Sequence, residues 1–209
     1  RRRAISKIPM PRYNTVANNT AAGCSGSGIL LNHALCRDNT ITNNVFSYND
    51  EGIIITGSNN NIVSGNTANI CSGWDAIAVT NCLNTTVSYN VVGGNAVAIS
   101  VLNSDFTHIR NNSGLGNDVL IEVDASSKCD IVGNNASFCN QVGIYSDSTC
   151  DNLTITGNSV WNNTIYGIYI VGGKDFEITE NTVGNNMDTG IHLSGSSRSQ
   201  IYHNNIISN

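Results

Sequence analysis

The chain has 209 residues, with 10 Lys or Arg against 15 Asp or Glu, 12% charged residues, 6% aromatic residues, 20 Gly and 2 Pro. Half of the positive charge (Arg1, Arg2, Arg3, Lys7 and Arg12) precedes residue 14, so the remainder is strongly acidic, which excludes a phosphate-backbone binder. No apolar run reaches the roughly 18 to 20 residues needed to cross a bilayer, and the basic N-terminus lacks the apolar stretch of a signal peptide.

About a third of the residues are Asn, Ser or Thr, which in an aperiodic chain would point to disorder. Here the apolar residues are periodic. Residues 1–13 read as a lead-in or the remnant of a preceding turn, because Ala4-Ile5-Ser6 resembles Ala98-Ile99-Ser100. From residue 14 one sentence repeats: a β-branched residue, an Asn three positions later, a second polar position five further on, then Gly-Ile-x-Ile. The first Asn falls at Asn19, Asn44, Asn66, Asn90, Asn112, Asn134, Asn158, Asn181 and Asn204, with gaps of 25, 22, 24, 22, 22, 24, 23 and 23 residues. A period this constant means a solenoid of stacked units, with 14–209 as one domain.

Three residues before each Asn stand Val16, Ile41, Val63, Val87, Ile109, Ile131, Ile155, Ile178 and Ile201. All are β-branched, as a buried strand position prefers. The Gly-Ile-x-Ile segment supplies Ile29, Ile53, Ile77, Ile99, Ile121, Ile144, Ile168 and Ile191, and its alternation sends one face inward and one to solvent. Short strands at this period predict an all-β parallel β-helix of eight to nine turns. The Asn column is explained by amides stacking turn upon turn at about 4.8 Å and bonding to backbone. A second such column reads Cys24, Asn49, Cys71, Asn95, Asn117, Cys139, Asn163, Asn186 and Asn209. Cys36, Cys82 and Cys150 share a column with Ser58, Ser104 and Ser126. Same-column cysteines are therefore two turns or more apart, beyond the roughly 7 Å Cα limit for a disulfide, and are expected to be small buried residues. No paired-cysteine or paired-histidine spacing suggests zinc.

Chemistry can only lie on the outward face. Its central column runs Leu30, Ile54, Ala78, Ser100, Glu122, Tyr145, Tyr169 and His192, and the next outward column holds Asp124 and Asp147. The C-terminal half thus gathers carboxylates, tyrosines and a histidine. Asp124 and Asp147, about 5 Å apart on consecutive turns, suit a calcium site or a proton-sharing pair. Tyr145, Tyr169 and His192 are candidate catalytic residues for proton abstraction from a uronate. Glu122, Asp124, Asp147, Lys174 and Arg198 are candidate substrate-binding residues, the two cations facing a uronate carboxylate. The plainer readings are a solvated acidic face, and tyrosines that stack on sugar rings without reaction. Thr40/Thr42, Thr86/Ser88 and Thr154/Thr156 on another face are too interrupted for an ice-binding array. Six N-glycosylation sequons occur about as often as chance gives in so Asn-rich a chain.

The pattern of β-branched residue, Asn, Gly-Ile and small polar turn over residues 14–209 resembles the right-handed parallel β-helix repeats of the pectin-lyase-like superfamily, closest to the Asn-rich NosD-type periplasmic and archaeal surface proteins. The resemblance implies an extracellular, cell-surface or periplasmic location and a structural or glycan-facing role, with polysaccharide as partner. It also brings an alternative, a polysaccharide lyase or uronate epimerase, although the Asp-Pro-His run of alginate epimerases and the polygalacturonase set are missing. A copper-accessory role is weakened by only 2 Met and 4 scattered His. Because the chain stops in mid-turn at Asn209, it is expected to be a segment of a longer protein or a unit that associates end to end.

Overall fold

The computed structural model describes residues 12–209. Among them every strand pairing is parallel, and the chain winds as a solenoid whose turns stack in register. The reading of Ala4-Ile5-Ser6 lies outside the described residues. Arg12 bridges to Arg37, so the described stack already includes residue 12.

Three sides make up each turn. The first is a nine-stranded sheet of three-residue strands whose central residues are the β-branched set: Val16 pairs with Ile41, Ile41 with Val63, and so on to Ile201. The second side is shorter, in segments of four and three strands joined across Ser113 and Asn135 by isolated bridges. The third is an eight-stranded sheet of longer strands: Ser27–Asn32, Glu51–Thr56, Asp75–Thr80, Val97–Leu102, Val119–Asp124, Val142–Ser146, Tyr166–Val171 and Thr189–Ser194. Ile29, Ile53, Ile77, Ile99, Ile121, Ile144 and Ile168 face inward there in one fully buried file. The residue before each is mostly Gly or Ala, since backbone passes close by. A Cβ on Gly167 would lie 2.5 Å from the Gly190 carbonyl oxygen.

At the corners the chain must turn without leaving buried backbone groups unpaired. Interior amides do this. The Asn66 N–H and Nδ2 donate to Asn90 Oδ1 at 2.9 and 3.0 Å, and those of Asn90 donate to Asn112 Oδ1 at 3.0 and 2.9 Å. Each Nδ2 also reaches back to a carbonyl of the preceding turn, as Asn112 does to Val87 at 2.9 Å. The second column works alike: Asn95 donates to Asn117, and Cys139 N–H to Asn163 Oδ1. The Ser/Cys column is a ladder too. Cys82 N–H donates to Ser104 Oγ at 3.0 Å, and Ser104 N–H to Ser126 Oγ at 2.8 Å. All seven cysteines are buried free thiols.

Much of the remaining Asn content serves the outer corners. Asn43, Asn84, Asn111, Asn152 and Asn162 take φ between 52° and 56°. After glycine, asparagine is the residue that adopts this left-handed conformation most readily.

Candidate functional site

The outward side of the eight-stranded sheet presents three columns. The register sets Glu122 beside Tyr145, Tyr145 beside Tyr169 and Tyr169 beside His192. Parallel pairing at about 4.8 Å brings planar side chains on successive turns into contact. Tyr145 and Tyr169 have ring centroids 5.7 Å apart, and Tyr169 and His192 5.1 Å apart. Tyr166, on the first outward position of its strand, joins them at 4.6 Å from Tyr169 and 5.0 Å from His192, the latter edge-on. Four half-exposed rings thus form one platform. Nothing in the sequence period marks Tyr166. Its column reads Ser27, Glu51, Asp75, Val97, Val119, Val142, Tyr166 and Thr189, and only Tyr166 brings a ring to it.

Carboxylates adjoin the platform on its N-terminal side. Glu122 and Asp124, two apart on one strand, share its outward face, and Asp124 Oδ1 is shut off from solvent with no hydrogen-bond partner. Burial, then the Glu122 and Asp147 charges, push the Asp124 carboxyl up to about 6. Burial and the Asp75 charge raise Glu122. Asp75, in the same outward column as Tyr166, is likewise raised to about 6 by burial and by Glu51 and Asp124. Asp147 behaves differently. Although burial opposes it, hydrogen bonds from the Thr149 hydroxyl (2.8 Å) and N–H (3.0 Å) and the Ala125 N–H (3.2 Å) hold its carboxyl below the ordinary range. Its oxygens are turned toward the Thr149 and Ala125 donors of the corner. Tyr145 sits among these groups: burial and the charges of Asp124, Asp147 and Glu122 raise its phenol.

Lys174 and Arg198 lie in corner columns beyond the sheet. Lys174 Nζ is 3.1 Å from Asp151, and Arg198 forms two 2.7 Å hydrogen bonds with Asp175. Both cations already have carboxylate partners. Another concavity, of about 550 Å³ and lined by residues such as Ile70, Val91 and Leu115, runs along the second side and contains no titratable group.

The fold defines a class, the right-handed parallel β-helix of pectin-lyase-like architecture. Residues 8–136 match the family model described as "Right handed beta helix region", and residues 74–209 match that described as "Periplasmic copper-binding protein (NosD)". The chain belongs to the NosD family. Among solved structures it is similar to a double mutant of the periplasmic alginate epimerase AlgG (16% identity, TM-score 0.75, covering 81% of this chain and 45% of that one). It is also similar to the A-module of the Azotobacter vinelandii mannuronan C-5 epimerase AlgE4 (14% identity, TM-score 0.72, 93% and 74%) and to PfbA, a surface adhesin of Streptococcus pneumoniae (11% identity, TM-score 0.53, 94% and 70%). These likenesses are of fold. The chain spans less than half the length of AlgG. A comparison with curated protein sequences finds no match.

The family description raises copper, which sulfur and imidazole donors would hold. The donors do not converge. His33 Nδ1 accepts the Leu35 N–H, His108 pairs with Asp130, His192 is in the ring stack and His203 packs edge-on to Tyr202. The thiols are interior, and burial lifts those of Cys139 and Cys150 to about 12. Among the described residues, no three His, Cys, Asp or Glu side chains form a metal-holding group, so the residues fit neither copper nor a calcium cage.

Proposed function

We propose that this chain is a rigid β-helix module, extracellular or periplasmic, that holds a polysaccharide along the C-terminal half of its eight-stranded sheet. The observation that carries this reading is the platform of Tyr145, Tyr169, Tyr166 and His192. A saccharide ring has apolar C–H faces that lie flat on aromatic rings, while Glu122, Asp124 and Asp147 beside them accept hydroxyl hydrogen bonds. The family's periplasmic description and the polysaccharide chemistry of AlgG and AlgE4 support the setting.

The lyase or epimerase reading asks a tyrosine to abstract a proton, with a cation masking the uronate carboxylate. Tyr145 and Tyr166 are held as phenols: burial raises both, with Asp124 next for Tyr145 and Asp188 next for Tyr166. Lys174 and Arg198 are committed to Asp151 and Asp175. Binding without reaction is the better supported function. Affinity electrophoresis in gels containing neutral, acidic or amino polysaccharides tests it: at least one should retard the protein, and Tyr169→Ala should abolish the retardation. Unsaturated product absorbing in the ultraviolet after incubation with polyuronates, absent in His192→Ala, would favour the lyase instead.

A further inference from the structure

The second side of the solenoid is unlike the other two. Each pass of the chain along it, from residues 20–23 and 45–48 to 205–208, is free of Asp, Glu, Lys, Arg and His. Instead Val45, Tyr48, Ile70, Val91, Leu115 and Phe138 stand there 40% to 66% exposed. Tyr48, Ile70 and Phe138 take φ between 54° and 59° at a corner that other turns fill with Gly94 and Gly116. Bulky residues rarely adopt that conformation, so the backbone itself gains nothing from large side chains here. An uncharged, aromatic-bearing surface has the composition of the core of a protein–protein interface.

We propose that this chain forms an antiparallel, side-by-side dimer through its uncharged second side. The relief of that side is self-complementary. Gly93, Gly94 and Gly114 leave the concavity of about 550 Å³ beside Ile70, Val91 and Leu115, and Phe138 rises one turn beyond it. A two-fold axis along the strand direction at Leu115 sets each column against its own copy with the order of turns reversed. All nine turns then overlap, Leu115 meets Leu115, and each Phe138 falls on the other copy's Gly94, in the concavity. Ile70 lies opposite Asn162 and Tyr48 opposite Asn185, so large side chains face small ones. Charge selects the same partner. The net charge of −5 opposes contact between copies elsewhere, whereas here the surface meets itself without like charge. A charged partner finds nothing to pair with, and Asn69 Oδ1, which a saccharide hydroxyl would use, already accepts the Gly93 N–H at 2.8 Å. Nine turns at ~4.8 Å and four residues at ~3.3 Å give a strip of roughly 500 Å² in plan before its relief is counted. That is within reach of the ~800 Å² per partner that a stable dimer buries. The eight-stranded sheet stays open in this dimer, so the proposal stands apart from the glycan-facing reading.

Sedimentation equilibrium tests it. The wild type should give twice the chain mass of 22.2 kDa at concentrations up to ~100 μM, and sodium sulfate should tighten the association, as it does apolar burial. Leu115→Arg sets two like charges on the axis and should weaken the dimer about a hundredfold or more; Phe138→Ser empties the concavity and should weaken it about tenfold or more. Both side chains are exposed, so each variant should melt like the wild type diluted to monomer. Tyr169→Ala, on the glycan face, should leave the dimer intact. A wild type that stays monomeric, a dimer that survives both second-side substitutions, or one lost in Tyr169→Ala but kept in Leu115→Arg would overturn the proposal.

Discussion

The two halves of the eight-stranded sheet have the same backbone and register but different outward chemistry. In the N-terminal half the central outward column is Leu30, Ile54, Ala78 and Ser100; in the C-terminal half it is Glu122, Tyr145, Tyr169 and His192. Beneath both runs one file of buried isoleucines. The stack depends on what points inward, so the outward positions are free to differ from turn to turn. That is why a fold can be recognised here at 16% identity to AlgG while activity cannot be carried across from it.

The contrast breaks most severely at a ladder position. Asn134 Oδ1 accepts the Asn112 N–H at 2.8 Å and its Nδ2 at 3.0 Å, while Asn134 Nδ2 bonds to Ile109 and Val132 carbonyls. Asn134→Ala leaves several buried groups without partners and should cost about 3–5 kcal/mol. Ile121→Ala, which empties part of the isoleucine file, should cost about 2–5 kcal/mol. Tyr169→Ala, on the same sheet but outward, should change stability by about 1 kcal/mol or less, the scale of its ring contacts, while removing glycan binding. Denaturant melts rank the three. A Tyr169 variant as unstable as the Asn134 variant would show that the platform is part of the scaffold.

This contrast also explains how much of the molecule could be read from sequence. Solenoid, register and both Asn columns were legible, because a residue buried at one height of the stack is constrained alike at every other. Tyr145, Tyr169 and His192 were legible as neighbours since they share a column, and the structure brings them together. Tyr166 and Asp75 were not, because an outward position between Val142 and Thr189, or between Glu51 and Val97, carries no repeating signal. The commitment of Lys174 to Asp151 and of Arg198 to Asp175 follows from corner columns one turn apart, and could have been found by extending the column reading to the corners.

The carboxylates sharpen the comparison through pH. A carboxyl raised in the folded state binds its proton there at a pH where the unfolded chain has already lost it. Folding is therefore favoured at low pH, and that contribution is lost as pH rises from the unfolded value near 4 to the folded value of about 6. Asp124→Asn removes the charge. It should raise the melting temperature by about 1–3 °C near pH 7 and leave it unchanged near pH 4. Asp147 is held low by its hydrogen bonds, so Asp147→Asn should instead lower the melting temperature near pH 7, an effect that fades as acid protonates the wild-type group. Equal shifts in the same direction for both variants would contradict the separate environments assigned to them.

The smallest effect belongs to an interior column that already varies in sequence. Cys82 stands between Ser58 and Ser104; its sulfur accepts the Ser58 N–H at 3.5 Å and lies near the Thr80 and Ile55 carbonyls, while its own N–H donates to Ser104 Oγ. A serine there keeps the acceptor and donor and loses only some sulfur contact, so Cys82→Ser should stay within about 1 kcal/mol of the wild type. Cys82→Val fills similar space but offers the Ser58 N–H nothing, and should cost about 1–3 kcal/mol. Melting the two side by side separates volume from hydrogen bonding. Equal losses would mean that the column is a packing column, and that its alternation of Ser and Cys reflects size alone.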